Sequence, residues 1–221
     1  MISLLLILVA AISYGIGMVS GPRYIYAHMP RRVRSSGGRC TIGYTLFARR
    51  FGLKWAIAAA AFDAVKSAVA AVLGLLLLNL YGDGFPVIGA LFAGFCVMLG
   101  DMFPFNRAFR GGKGVLCLMT ALWIADWRIG VFSSIVFIVV VTMSRYVSLA
   151  SLSACLAGAV AAWIFVETEQ LKAASGLVVL FAFFAAAWRH RGSIARLASG
   201  SEEKMIWGRA PEDKLREDTF V

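Results

Sequence analysis

The chain has 221 residues, is 60% hydrophobic and carries 22 Lys and Arg against 12 Asp and Glu, a formal charge of +10. With a mean hydropathy of +0.79, it has too little polar surface to cover a soluble domain of this length, and composition points to a polytopic membrane protein. The positive charge is not a nucleic-acid footprint, because no aromatic-interleaved soluble module accompanies it.

Crossing about 30 Å of hydrocarbon takes roughly 17 to 25 apolar residues in helical form. Runs of that kind predict an all-α polytopic fold of about seven transmembrane helices, near 2–20, 55–80, 85–100, 114–125, 129–143, 147–166 and 173–188. The fourth is short and the second long, so each is tilted, bent or partly re-entrant. The first run has no Lys or Arg before Arg23 and no clear small-residue cleavage site, which favours an uncleaved span over a signal peptide. Residues 21–54 then bring Arg23, Arg31, Arg32, Arg34, Arg39, Arg49, Arg50 and Lys54 with no acid. The next connection holds only Asp83, the third sets Arg107, Arg110 and Lys113 against Asp101, and the sixth is acidic with Glu167 and Glu169. Basic excess falls on the odd loops, and since Lys and Arg stay on the cytoplasmic side, the N-terminus is expected outside and the C-terminus inside. One integral-membrane domain over 1–200 and a cytoplasmic mixed-charge tail over 201–221 complete the expected organisation.

Ionisable groups within spans are costly and mark sites or paired supports. Asp63 and Lys66, three apart in "FDAVKSAVA", share a helical face and form a structural pair; their position level with the basic loops also suits support of a site there. The stretch "GDMFPFNRAFRGGKGVL" reads in two ways. It is a basic turn between spans, or it is an anion site in which Gly111, Gly112 and Gly114 let backbone N–H groups approach a ligand, Lys113 adds full charge and a helix opening near Gly114 aims its positive end at the same place. It is not a Walker loop. Asp101 is expected to cap, or pair with, Lys113 or Arg110.

On the same predicted side lie the Ser-, Thr- and Gly-rich basic stretch "RVRSSGGRCTIGYTLFARRFG", Ser148 and Ser151 in "SRYVSLAS", and His190, Arg191, Ser193 and Arg196 in "RHRGSIARL". Hydroxyls, backbone donors, cations and a histidine together suit an anionic substrate, a phosphate ester above all, with apolar spans beneath for an acyl chain. For His190 the competing reading is a tail histidine at headgroup level. Cys40, Cys96, Cys117 and Cys155 have no metal-ligand spacing and no carboxylate cluster suits magnesium, so neither metal nor cofactor is expected.

In order and content these segments resemble the membrane acyl-phosphate:glycerol-3-phosphate acyltransferases, the PlsY family, over about residues 14–204. The resemblance is strongest in "AGFCVMLGDMFPFNRAFRGGKGV" and clear in "SRYVSLAS", "WRHRGSIARLASGSEEK" and "FDAVKSAVA". It implies transfer of a fatty acyl group from acyl phosphate to the 1-hydroxyl of glycerol 3-phosphate, giving lysophosphatidic acid for phospholipid synthesis in the bacterial inner membrane. It further implies membrane lipid and contact with other lipid-synthesis enzymes as surroundings. Gly111, Gly112, Lys113 and Gly114 match the family's phosphate loop, Ser35 the serine opening its first motif, Ser148 and Ser151 the serines after the fifth span, and His190 the histidine of its third motif. Ser35, Lys113 and His190 are thereby the implied catalytic residues; Ser193 and Arg39, which differ from the family's residues, are also expected at the phosphates, Arg39 as one of three cations, with Arg49 and Arg50, that could replace a missing charge.

Several positions depart from the family pattern. Gly37, Arg39 and Ile42 stand at the first motif's two Asn and Gly, and Thr45 at its later Arg. Asp101 stands at a His, and Gly192 and Ser193 at a Glu and an Asn. The departures keep an alternative in view: a divergent or catalytically silent relative acting on another acceptor, or serving as a membrane scaffold or regulator of lipid synthesis.

Overall fold

The computed structural model describes residues 2–40, 43–82, 85–167, 169–202 and 204. Ile42, Asp83 and residues 205–221, on which parts of the first-motif, loop-charge and tail expectations fall, lie outside them. Regular structure among the described residues is helical throughout: α1 Ile2–Gly17, α2 Gly21–His28, α3 Arg31–Gly37, α4 Tyr44–Phe51, α5 Leu53–Tyr81, α6 Pro86–Met102, a single 3-10 turn Phe105–Arg107, α7 Val115–Ala125, α8 Trp127–Ser144, α9 Val147–Phe165, α10 Glu169–Arg189 and α11 Arg191–Ala198.

Among the described residues six stretches are long and apolar enough to cross a membrane: Ile2–His28, Leu53–Tyr81, Pro86–Arg107, Trp127–Ser144, Val147–Phe165 and Leu171–Arg189. The expected fourth span is α7, whose 11 residues rise only about 16 Å and do not reach across 30 Å of hydrocarbon. In the loop that precedes α7, Gly111, Gly112 and Gly114 are buried. The long second span is one helix of 29 residues.

The helices are apolar nearly all round, so burial follows neighbours rather than one hydrophobic stripe. α6 is central and packs on α1, α5, α7 and α10, while α9 lies between α8 and α10. The main core joins Leu91, Val97, Met98 and Met102 of α6 to Leu118 and Leu122 of α7, Cys155 of α9 and Val179 of α10. Outward-facing Ile7, Val65, Ile138, Trp163 and Phe181 stay exposed, as residues against lipid would. Residues 21–54, whose charge reads as a plain loop, instead fold into α2, α3 and α4, which gather Met29, Phe47 and Phe51 into a small core over the start of α5.

The pairing of Asp63 and Lys66 is present at 2.6 Å, with both side chains buried. It does more than join two neighbours on a helix. Lys66 also donates to the carbonyls of Gly17, at 3.3 Å, and Val19, which are the groups exposed where α1 ends. Asp63 accepts the Gly21 N–H at 2.9 Å and the Tyr44 hydroxyl. One ion pair therefore fastens the α1–α2 break and α4 to α5. Asp101 was expected to meet Lys113 or Arg110; it lies instead 3.3 Å from Lys66, because the last turn of α6 faces α5.

Candidate active site

Lys113 projects from the loop between α6 and α7, with its ammonium 3.2 Å from both the Ser148 and the Ser193 hydroxyl. Ser148 lies in the first turn of α9. That helix starts there because Arg145 turns the chain in a left-handed conformation and the Ser144 hydroxyl accepts the Tyr146 N–H at 3.2 Å. Ser151 follows three residues on and is buried on the same helix. Ser193 is buried in α11, and its hydroxyl also receives Arg196 at 3.1 Å.

An anion already occupies this corner. The Glu202 carboxylate accepts the Ser148 hydroxyl at 2.8 Å and the Arg196 guanidinium at 2.7 Å. Burial alone would raise its carboxyl, but the hydrogen bonds from Ser148 and Arg196 and the Arg196 charge outweigh that and hold it below its usual range. Loss of water around Lys113, with Arg196 and Arg189 nearby, lowers the ammonium despite the pull of Glu202. Further along the tail, Arg49 of α4 donates to the Lys204 carbonyl at 3.0 Å, so the basic segment reaches the same corner.

His190 sits between α10 and α11 and is 1% exposed. Its Nδ1 lies 2.8 Å from the Ala186 carbonyl. A carbonyl only accepts, so Nδ1 carries the proton and Nε2 keeps the free lone pair. Among the described residues nothing bonds that buried Nε2. Burial, and then the Lys113 charge, push the imidazole down to about 4, so it is neutral at pH 7.

The glycine loop is held by its own backbone. Gly111 N–H donates to the Met102 carbonyl at 3.2 Å and Gly112 N–H to the Asp101 carbonyl at 2.8 Å. On the opposite edge Arg189 donates to the Gly112 carbonyl at 2.9 Å and to the Gly111 carbonyl. These N–H groups are engaged within the protein. The glycines serve by shape: a Cβ on Gly111 would stand 1.9 Å from the Asp101 carbonyl oxygen, and Gly114 has φ +68° at the N-cap of α7.

The structure brings together Lys113, Ser148, Ser193, Gly111, Gly112 and Gly114, with Ser151 on α9 and His190 at the start of α11. Ser35 and Arg39 lie in a second basic group. They line an open groove of about 500 Å³ with Tyr26, Arg31 and Arg34, and the Ser35 hydroxyl donates to the Arg32 carbonyl at 2.9 Å. Thr45, at the position of the family's arginine, is half-buried on α4. Among the described residues no three His, Cys, Asp or Glu gather as metal ligands. Sequence reading passed over Arg189 and Glu202 as site residues. Arg189 stood out only as a cation next to His190, and Glu202 as one of two adjacent acids after Ser201.

Residues 7–200 match a family profile described as Glycerol-3-phosphate acyltransferase. The chain is 35% identical over 170 residues to a glycerol-3-phosphate acyltransferase of Allorhizobium ampelinum, covering 76% of this chain and 77% of that one. It is 28% identical over 202 residues to that of Finegoldia magna, covering 91% and 97%. Its fold matches the crystal structure of PlsY (YgiH), an integral membrane glycerol 3-phosphate acyltransferase, in the glycerol 3-phosphate form, with a TM-score of 0.75, 22% identity and coverage of 98% and 99%. The lysophosphatidic acid form matches with a TM-score of 0.74.

Proposed function

The chain belongs to the glycerol-3-phosphate acyltransferase family and is an integral, multi-pass membrane protein; from that premise we propose that it transfers a fatty acyl group from acyl phosphate to the 1-hydroxyl of glycerol 3-phosphate. The products are lysophosphatidic acid and inorganic phosphate. The observation that carries this reading is the corner of Lys113, Ser148, Ser193 and Arg196 closed around a carboxylate, beside a neutral histidine with a free lone pair.

In the proposed reaction the glycerol hydroxyl oxygen attacks the acyl carbonyl carbon. The bond from that carbon to the phosphate oxygen breaks, and phosphate leaves with the electron pair. Lys113 and Arg196 oppose the charge that grows on the leaving oxygens, where fixed cations matter most. Ser148, Ser151 and Ser193 orient the phosphate, and His190 Nε2 accepts the hydroxyl proton. Ser35 and Arg39 are assigned to the second phosphate of the pair, so that acceptor and donor are held for in-line approach. No metal or cofactor enters.

The site is read as facing the cytoplasm of a bacterial inner membrane, with the N-terminus outside, residues 1–200 as one domain and 201–221 as a tail whose first residues fasten to the site. The test is incorporation of labelled glycerol 3-phosphate into chloroform-soluble product by purified protein. Incorporation with palmitoyl phosphate and not with palmitoyl-CoA is expected. Incorporation with palmitoyl-CoA alone would overturn the donor, and none with either donor would overturn the activity.

A further inference from the structure

The loop that carries Lys113 is held on its carbonyl side by one side chain. Arg189, the last residue of α10, donates from Nε to the Gly112 carbonyl at 2.9 Å and from a terminal nitrogen to the Gly111 carbonyl. The N–H groups of Gly111 and Gly112 end on the Met102 and Asp101 carbonyls at 3.2 and 2.8 Å. The Gly111–Gly112 peptide is thus fixed at both its C=O and its N–H, and the Gly112–Lys113 peptide at its C=O. The N–H bonds run from backbone to backbone, whereas the carbonyl bonds exist only because residue 189 is an arginine. Its planar guanidinium presents both donors in one rigid fork, so the two carbonyls are set together relative to α10.

That fork ties two parts of the site to each other. His190 follows Arg189 directly in the chain, and Ser193, three residues further, receives the Lys113 ammonium at 3.2 Å. Lys113 and His190 come from separate segments, and Arg189 joins the backbone of one to the backbone of the other. Carbonyl oxygens only accept hydrogen bonds and repel an anion; the guanidinium engages both.

We propose that Arg189 is a positioning residue that clamps the phosphate loop to the segment carrying His190 and Ser193, holding Lys113 and the histidine at a fixed separation. This rests on the acyltransferase reading of the site. Arg189 touches neither substrate in this account and acts through the loop. Displacing a catalytic group by about 1 Å is enough to lose roughly 100-fold in rate.

The experiment compares the parent with Arg189→Met and Arg189→Lys in detergent, without substrate by hydrogen exchange of the peptide spanning 108–114, referenced to α8, and then by calorimetric binding of glycerol 3-phosphate and turnover. Met removes every donor, whereas Lys keeps the charge on one nitrogen in place of the fork. The expected result in Arg189→Met is at least a tenfold rise in loop exchange and in Kd and KM for glycerol 3-phosphate, reduced to about threefold in Arg189→Lys. A weaker Kd with loop exchange unchanged would mean that Arg189 meets the phosphate directly. A Kd unchanged per folded protein would mean that it only supports the fold, and parental behaviour in Arg189→Lys would assign the effect to charge alone; each of these overturns the proposal. If Arg189→Met does not fold, Arg189→Lys decides: a threefold rise in both exchange and Kd supports the clamp, and anything less in either overturns it. A parent that binds glycerol 3-phosphate without turning over contradicts the acyltransferase reading alone, and the exchange and binding comparison still judges Arg189. A parent that binds none overturns both.

Discussion

Lys113 meets two serine hydroxyls and shares its corner with Arg196 and the Glu202 carboxylate. A hydrogen bond to a charged group contributes about 1.5–3 kcal/mol, so Lys113→Ala should lower kcat/KM for glycerol 3-phosphate about 10- to 150-fold. Lys113 lies in a loop and outside the apolar core, and the thermal midpoint should barely move; a parallel loss of stability would mean the variant reports folding instead. His190 adds a pH dependence. Its folded value of about 4 lies below the ordinary value near 6.5, so its contribution to stability is full above about 6.5 and is lost as pH falls toward 4. The difference is on the order of 3 kcal/mol. The parent should lose thermal stability over that window, and His190→Phe should flatten the curve; identical pH profiles would contradict the buried neutral ring. Lys113 and His190 were legible in the sequence because a lysine among glycines and a histidine ending an apolar run are locally unusual. Glu202 and Arg189 were not, since a charge in a charged tail looks the same whether solvated or bound.

Helices carry the geometry one level up. Gly111 lies against the end of α6 so closely that a Cβ would stand 1.9 Å from the Asp101 carbonyl oxygen. Gly111→Ala must therefore push the loop off α6, and activity should fall at least as far as in Lys113→Ala while expression stays near parental; normal turnover would contradict the packing. Lys66→Met leaves Asp63 and Asp101 without their shared ammonium. Removing one partner of a buried ion pair costs about 3–5 kcal/mol, and a large drop in thermal midpoint is expected, against which an unchanged midpoint would argue. The spans themselves were legible because 18 or more apolar residues have few other uses. The expected 55–80 became Leu53–Tyr81 and 147–166 became Val147–Phe165. The three helices within residues 21–54 were not legible, since their short amphipathic runs fold only by packing on α5. Nor was the contact of Lys66 with Asp101, which joins different helices and has no local pattern.

For the whole molecule, the charge alternation predicts that α3 and the Lys113 corner face the cytoplasm. A cysteine introduced as Gly38→Cys, with Cys40→Ser, should be shielded from an impermeant maleimide in intact cells, whereas Glu167→Cys should react; the reverse labelling would invert the topology. The proposed orientation sets the phosphate-binding corner at the cytoplasmic end of an apolar bundle, where a soluble phosphate ester and a membrane-borne acyl chain meet. The family pattern and fold made this architecture readable, while the departures at Gly37, Arg39, Thr45 and Asp101 left open how the phosphates are held. The structure supplies a cation–hydroxyl corner of Lys113, Ser148 and Ser193 and a groove lined by Ser35 and Arg39. The measurement that tests the account most directly is phosphate release from palmitoyl phosphate by purified protein, with and without glycerol 3-phosphate. The account predicts release that requires glycerol 3-phosphate, matches lysophosphatidic acid formed mole for mole and falls sharply in Lys113→Ala. Release independent of glycerol 3-phosphate, or no release from folded protein, would contradict it.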